Sequence, residues 1–303
     1  MNRKIENEVI VVIRSAGERT KNACFEIVKQ QLPEENIYII EEKPFEEAIR
    51  KCYKIGIESG KKWMFTIDAD VLISQKAIRL LYAKGEKLNV NVFMFNGIIF
   101  DKLFLSYRTG GLKGYRIEKL STALNYIPEN GQEIRPENYT LKKMTEAGHK
   151  KFKSTIITGI HDFEQYYKDI YRKSFLHARK HSNSIALLPK WRELAQNDPD
   201  YTVAIKGFMD GYLEPDFAKT DSRIYAQKAD RALQELQLTE KSELQLKELN
   251  NLIEQVIDEA GPAVDVQGIM YRYKYQISKQ GMNRGLKWCF GDFLQKAGTR
   301  IKK

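Results

Sequence analysis

Hydrophobic positions come in two rhythms that alternate along the first hundred residues. Glu8–Arg14 is a short, β-branched, almost wholly apolar run, the pattern of a strand buried on both faces. Ser15–Gly17 breaks it, and Glu18–Leu32 takes helical spacing, with Ala23, Phe25, Ile27 and Val28 on the inner side until Pro33 stops it. Asn36–Glu41 predicts a second strand. Pro44 opens a second helix striped by Ala48, Ile49, Cys52, Ile55 and Gly56 and ended by Gly60. Lys62–Ile67 predicts a third buried strand, Gln75–Lys87 a third helix, and Val90–Phe95 the next strand. A β-α-β-α-β-α-β order calls for an α/β domain with a mostly parallel, twisted sheet and right-handed crossovers.

From Phe100 to about Thr155 glycines and prolines punctuate the chain, and loops with short strands are expected. Tyr107–Arg116, with Gly110, Gly111 and Gly114, is expected to be a mobile loop over a ligand, or an ordinary connection. Ser154–Gly159 predicts one more strand, followed by a helix from Asp162 to His181 and a helical stretch at Trp191–Ala195. Irregular, aromatic-rich sequence is expected from there to about Asp216. The composition changes after Thr220, so the chain is expected to divide into an α/β domain, 1–220, and a C-terminal helical extension, 221–303. Within 222–260 an apolar stripe (Leu249, Leu252, Ile253, Val256, Ile257) either packs on the main domain or joins a second copy as a homo-oligomer.

The chain has 303 residues, 42% hydrophobic and 30% charged, which suits a folded core and excludes wholesale disorder. No apolar run approaches the ~18–20 residues of a membrane span, and no secretory leader is visible, so a cytoplasmic location is expected. Cys24, Cys52 and Cys289 are far apart and read as reduced thiols, two of them core hydrophobes. The net charge of +10 is uneven, with ten basic against four acidic residues over 142–181 and nine against one over 267–303. Such positive fields attract phosphates, whether of nucleic acid, lipid headgroups or a nucleotide diphosphate. The basic, aromatic tail, 267–303, fits a peripheral element on the inner face of the cell membrane or a helix docked on the core.

The chemistry concentrates in Trp63–Leu72, where an apolar strand runs into Asp68-Ala69-Asp70. Two carboxylates can hardly sit inside a buried strand, so they mark its C-terminal end, where open α/β sheets place ligands. Oxygen donors one residue apart suit a hard cation, Mg²⁺ or Mn²⁺, which shares its shell with substrate phosphates. The bland alternative has Asp68 capping a turn and Asp70 merely exposed. A second patch, Thr158–Gln165, combines a strand end, a glycine and the acids Asp162 and Glu164, which would also simply cap a helix. His177 and His181 stand four apart, a zinc-compatible spacing without an acidic ligand beside it.

Taken together, the segments Val9–Thr20, Ile37–Glu42 and Ala48–Ile73 resemble the nucleotide-sugar half of GT-A-fold glycosyltransferases, especially the family 2-like group. The resemblance covers 8–100 well, 150–182 more loosely and 221–303 not at all. It implies transfer of a sugar from a nucleotide-diphosphate donor to a carbohydrate or lipid-linked acceptor, as in surface-polysaccharide assembly. By position, Arg14, Ser15, Glu41 and Asp68 would bind the nucleotide. Asp70, with Asp68 and His161, would hold the metal, and Asp162 would be the general base, with Glu164 behind it. The family commonly has Glu-Asp where this chain has His161-Asp162. A base at a helix start suits inversion, whereas a late histidine ligand suits retention; the reading favours inversion.

Rival classes make different demands. A dehalogenase-type phosphohydrolase wants its Asp pair on the first strand. A nucleotidyltransferase wants a glycine-rich loop that Arg14–Thr20 lacks. A nucleic-acid-binding protein explains the charge but gives no reason for Asp68 and Asp70.

Overall fold

The computed structural model describes residues 3–133, 135–180, 182–214, 225–244 and 249–260. The chain divides into two compact units, Met1–Glu259 and Ala260–Lys303, and the first contains the whole sheet. The basic tail, Cys289 and His181 lie outside the described residues.

The elements run α1 (Arg3–Glu8), β1 (Val9–Arg14), α2 (Lys21–Lys29), β2 (Ile37–Ile40), α3 (Phe45–Glu58), β3 (Trp63–Asp68), β4 (Val71–Ile73), α4 (Ala77–Gly85) and β5 (Val92–Asp101). After them come β6 (Ser106–Arg116), α5 (Leu120–Leu124), α6 (Pro136–Glu146), β7 (Lys150–His161), α7 (Tyr167–Lys180), α8 (Leu188–Leu194), α9 (Pro199–Leu213), α10 (Ala226–Glu235) and α11 (Leu249–Ala260). One seven-stranded sheet has the order β2-β1-β3-β6-β5-β7-β4. The pairs β1/β2, β1/β3 and β5/β7 are parallel, while β3/β6, β5/β6 and β4/β7 are antiparallel. The sheet is therefore mixed, with β1, β2, β3, β5 and β7 pointing one way. It is an α/β architecture, with helices following in the C-terminal part.

Every residue of β1 is buried, as its unbroken apolar run requires. One core cluster joins that strand to α2 and α4 through Val9, Val11, Ile27, Val28, Ile78 and Leu81. A second joins Ile10, Val12 and Met64 to Ile49, Cys52 and Tyr53 of α3 and to Leu141 and Met144 of α6. The two clusters alternate along β1, so helices cover both faces of the sheet. The C-terminal stripe packs on this domain: Leu249 and Ile253 of α11 enter the first cluster, with Leu252, Val256 and Ile257 against it. Among the described residues no helix is long and apolar enough to cross a membrane. Cys24 and Cys52 are free and buried, and burial pushes the Cys52 thiol up to about 12.

Three expectations fail against this fold. Phe100 to about Thr155, expected as loops with short strands, also holds the helices α5 and α6. Tyr107–Arg116 is not a loop but most of β6, hydrogen-bonded between β3 and β5. Its glycines provide space rather than mobility, since a Cβ on Gly114 would stand 2.5 Å from the rings of Phe65 and Phe95. The stretch after Ala195 is not irregular but contains α9, whose Asp198 side chain accepts from the Asp200 N–H ahead of Pro199. Gly207 and Gly211 bring α9 hard against α7. Added Cβ atoms would lie 2.5 Å from the Tyr171 carbonyl and 2.3 Å from that of Phe175. This contact carries a third, helical core with Ile170, Phe175, Trp191, Phe208 and Leu233, and it sets the position of α7 at the end of the sheet.

Candidate functional site

The register of the sheet assembles the acidic residues. In β1 and β3, Arg14 pairs with Asp68 at the carboxyl ends, and the Arg14 Nε donates to Asp68 Oδ1 at 2.8 Å. A half-buried carboxylate, Glu137 of α6, takes Arg14 from the other side at 3.2 Å, accepts the Tyr115 hydroxyl at 2.7 Å and contacts Lys113. Burial alone would raise the Glu137 carboxyl, but Lys113 and Arg14 hold it well below the usual carboxylate range. Asp68 thus belongs to an arginine-centred group.

Asp70 turns elsewhere. The Thr20 hydroxyl donates to the Ala69 carbonyl at 2.6 Å and accepts from Gln165 at 2.9 Å, fixing the turn between the two acids. Antiparallel pairing of β4 with β7 sets Val71 opposite His161, and the Asp162 N–H reaches the Asp70 carbonyl at 3.2 Å. Asp70, His161 and Asp162 consequently each offer a ligand atom within 4.8 Å of the others. His161 Nδ1 lies 3.0 Å from Asp162 and 2.9 Å from Asp101, and its Nε2 lies 3.5 Å from Asp70 Oδ1. That Asp70 oxygen is buried and makes no hydrogen bond among the described residues. Lys173 of α7 reaches between the carboxylates, 2.6 Å from Asp70 Oδ2 and in contact with Asp162 Oδ1.

The electrostatics follow from this packing. Burial opposes charge on every member, yet Asp162, Asp70 and Asp101 together raise the His161 imidazole well above its usual value. Burial likewise works against the carboxylates, but Lys173 and His161 draw Asp70 well below the usual range, and His161 and Lys173 bring Asp162 to about 2. The cluster therefore sets two carboxylates against the Lys173 ammonium and an imidazole that they draw toward its protonated form. Asp162 and Glu164 take positive φ, 63° and 57°, in a region that non-glycine residues seldom occupy and that costs on the order of 1–3 kcal/mol.

The remaining sequence candidates are dispersed. Ser15 donates its hydroxyl to Glu18 at 2.9 Å at the end of β1. Glu41 is an exposed partner of Lys21 at 2.9 Å, and Glu164 pairs with Arg19 at 2.8 Å. The nearest approach among the proposed metal ligands is thus Asp70 with His161, and Asp162 joins them, while Asp68 does not. His177 packs edge-on against Phe104, ring centroids 4.3 Å apart.

The sequence pattern does not single out Asp101, Glu18 or Glu137. Asp101 ends an apolar strand, β5, much as Asp68 ends β3, so a signal was present. It is fully buried and accepts from Arg108 Nε at 2.5 Å. Glu18 is a loop residue whose carboxyl is raised by burial and by nearby Asp70.

No family model matches the chain, and no curated protein matches it. Solved structures align with part of the chain at low identity. A glycosyltransferase involved in glycosylation of the major capsid of PBCV-1 is 14% identical, with 51% of this chain and 82% of that one covered and a TM-score of 0.34. A cytidylyltransferase from Leptospira borgpetersenii is 11% identical, with coverage of 63% and 98% and a TM-score of 0.37. TarS from S. aureus is 11% identical, with coverage of 68% and 81% and a TM-score of 0.33.

Proposed function

We propose that the chain is a glycosyltransferase that uses a nucleotide-diphosphate sugar and a divalent cation, Mn²⁺ or Mg²⁺. The observation that carries this reading is the convergence of Asp70, His161 and Asp162 at the carboxyl ends of β3 and β7. The donor set suits such an ion. Two carboxylates converge, one Asp70 oxygen lacks a hydrogen bond among the described residues, and the Lys173 ammonium lies between them. The cation, when bound, would supply Lewis-acid neutralisation of charge on the departing diphosphate.

The chain's own residues divide the remaining work. Arg14, Ser15, Glu41 and Asp68 stand along the ends of β1, β2 and β3, where open α/β sheets receive nucleotides. Lys173 balances Asp70 and Asp162, and is placed to turn to donor phosphates. Asp162, beside His161 and on the wall of the neighbouring cavity, would be the general base for the acceptor proton in an inverting reaction, with Glu164 behind it. Its closeness to Asp70 makes His161 the observation favouring a second reading, retention, in which no such base is needed. The acceptor would be a carbohydrate or lipid-linked glycan, reached at the inner membrane face if the 267–303 segment binds lipid.

Thermal shifts with UDP-, GDP- and CDP-sugars, each with and without Mn²⁺, test the proposal. Metal-dependent stabilisation by one nucleotide class supports it, and silence across the panel with tight, salt-sensitive RNA binding returns the nucleic-acid reading. Product anomer analysis by NMR separates inversion from retention.

A further inference from the structure

Beside the cluster lies a cavity of about 250 Å³, bounded by the β5–β6 turn, the start of β6, the end of β7 and helices α7 and α8. Pockets that take a whole small ligand run to ~300–1,000 Å³, so this one suits a single group of a larger substrate.

Its chemistry is lopsided. Arg108, His161, Arg172 and Lys173 line it, against one carboxylate, Asp162. Asp101, which binds Arg108, and Asp169, which binds Arg172 at 3.2 Å, are not among the lining residues. For Arg172 the Asp169 contact is the one hydrogen bond among the described residues, leaving the rest of its five-donor fork for a ligand. Ser174 lines the same cavity, fully buried, and its Oγ has no hydrogen-bond partner among the described residues. The other wall is apolar, made by Leu103, Leu176 and Trp191, whose indole N–H is already bonded to the Leu103 carbonyl at 2.7 Å.

We propose that this cavity is the acceptor subsite and that it selects an oxyanion, a phosphate or carboxylate carried by a sugar or polyol. Arg172 and Arg108 are its counter-ions, and the carbon frame lies on the Leu103–Trp191 wall. A planar guanidinium matches two oxygens of either group, and a neutral sugar would leave those donors unmet in a partly desolvated space. The proposal rests on the transferase reading, because His161 and Asp162 of the cluster form part of the cavity.

The test titrates the full chain by calorimetry, in EDTA and without nucleotide, with three hexoses of one ring that differ at a single carbon: glucose, glucose 6-phosphate and glucuronate. A charged hexose binds and glucose does not, and the tighter of the two charged sugars identifies the oxyanion. Arg172→Gln weakens that binding about tenfold or more, while Arg172→Lys, keeping the charge without the fork, loses less. The second variant also decides the matter if the first does not fold. Equal binding of glucose, no binding of any hexose at millimolar concentration, or unchanged binding by a natively melting Arg172 variant overturns the proposal. With metal and nucleotide both absent, failure here leaves donor binding untouched, and failure of donor binding leaves these titrations readable.

Discussion

The ammonium of Lys173 lies 2.6 Å from Oδ2 of Asp70, although the two residues stand on different layers and 103 positions apart in the chain. It touches Asp162 as well, so one lysine from α7 balances two carboxylates that β3 and β7 bring to the end of the sheet. Burial works against the Lys173 charge, but Asp162 and Asp70 outweigh it and raise the ammonium well above its usual value.

Replacing Lys173 by Met, which keeps the length of the side chain, removes that balance. Loss of one partner from a buried charge group costs roughly 3–5 kcal/mol. The variant is expected to melt well below the wild type in EDTA, and to recover more of its stability than the wild type does when Mn²⁺ is added. Equal melting temperatures in EDTA would show that the lysine does not hold the carboxylates in solution.

Glu137 offers a pH test away from the cluster. Its folded carboxyl lies far below the ordinary value of 4.5, because Lys113 and Arg14 outweigh burial. The stabilisation it brings is therefore complete above about pH 5 and is lost as pH falls through the unfolded and then the folded value. Glu137→Gln is expected to cost about 3 kcal/mol at pH 7, and less as the medium is acidified toward pH 3. Denaturant melts of both proteins across that range check it; a pH-independent difference contradicts the account.

Gly211→Ala inverts a familiar rule. Alanine in a helix normally gains up to ~1 kcal/mol over glycine. Here the new methyl would meet the Phe175 carbonyl at 2.3 Å, and backbone cannot step aside as a side-chain tip can. A loss of about 1–3 kcal/mol is expected by denaturant melts, with weaker nucleotide-dependent stabilisation because α7 carries Lys173. A gain in stability would mean that α9 does not pack as closely as described.

How much of this was legible beforehand depends on whether the cause was local. The strands β1 and β3 announce themselves because burial on both faces demands unbroken apolar runs, and Pro33 and Pro44 mark helix boundaries directly. By contrast, β6 and α9 were hidden by glycines. In a linear reading Gly110, Gly111 and Gly114 signify breaks, whereas Gly111 and Gly114, like Gly207 and Gly211 in α9, make room for neighbours that only the fold supplies. The pair Asp68 and Asp70 stands out in the chain, but their separation into an arginine-bound acid and one set beside His161 does not. That division depends on β4 pairing with β7, about ninety residues later, and on Arg14 opposite Asp68. Asp101 visibly closes an apolar strand, but its pairing is illegible for the same reason, since its partner His161 arrives through the β5/β7 register.

On the proposed reading Asp70 holds a divalent cation against a nucleotide diphosphate. Calorimetric titration of Mn²⁺ into the full chain with a saturating nucleotide diphosphate, for the wild type and for Asp70→Ala, tests it most directly. Saturable one-to-one binding by the wild type, lost in a variant that still folds, is the expected result. Equal binding by both proteins, or none by the wild type with any of UDP, GDP and CDP, would contradict it.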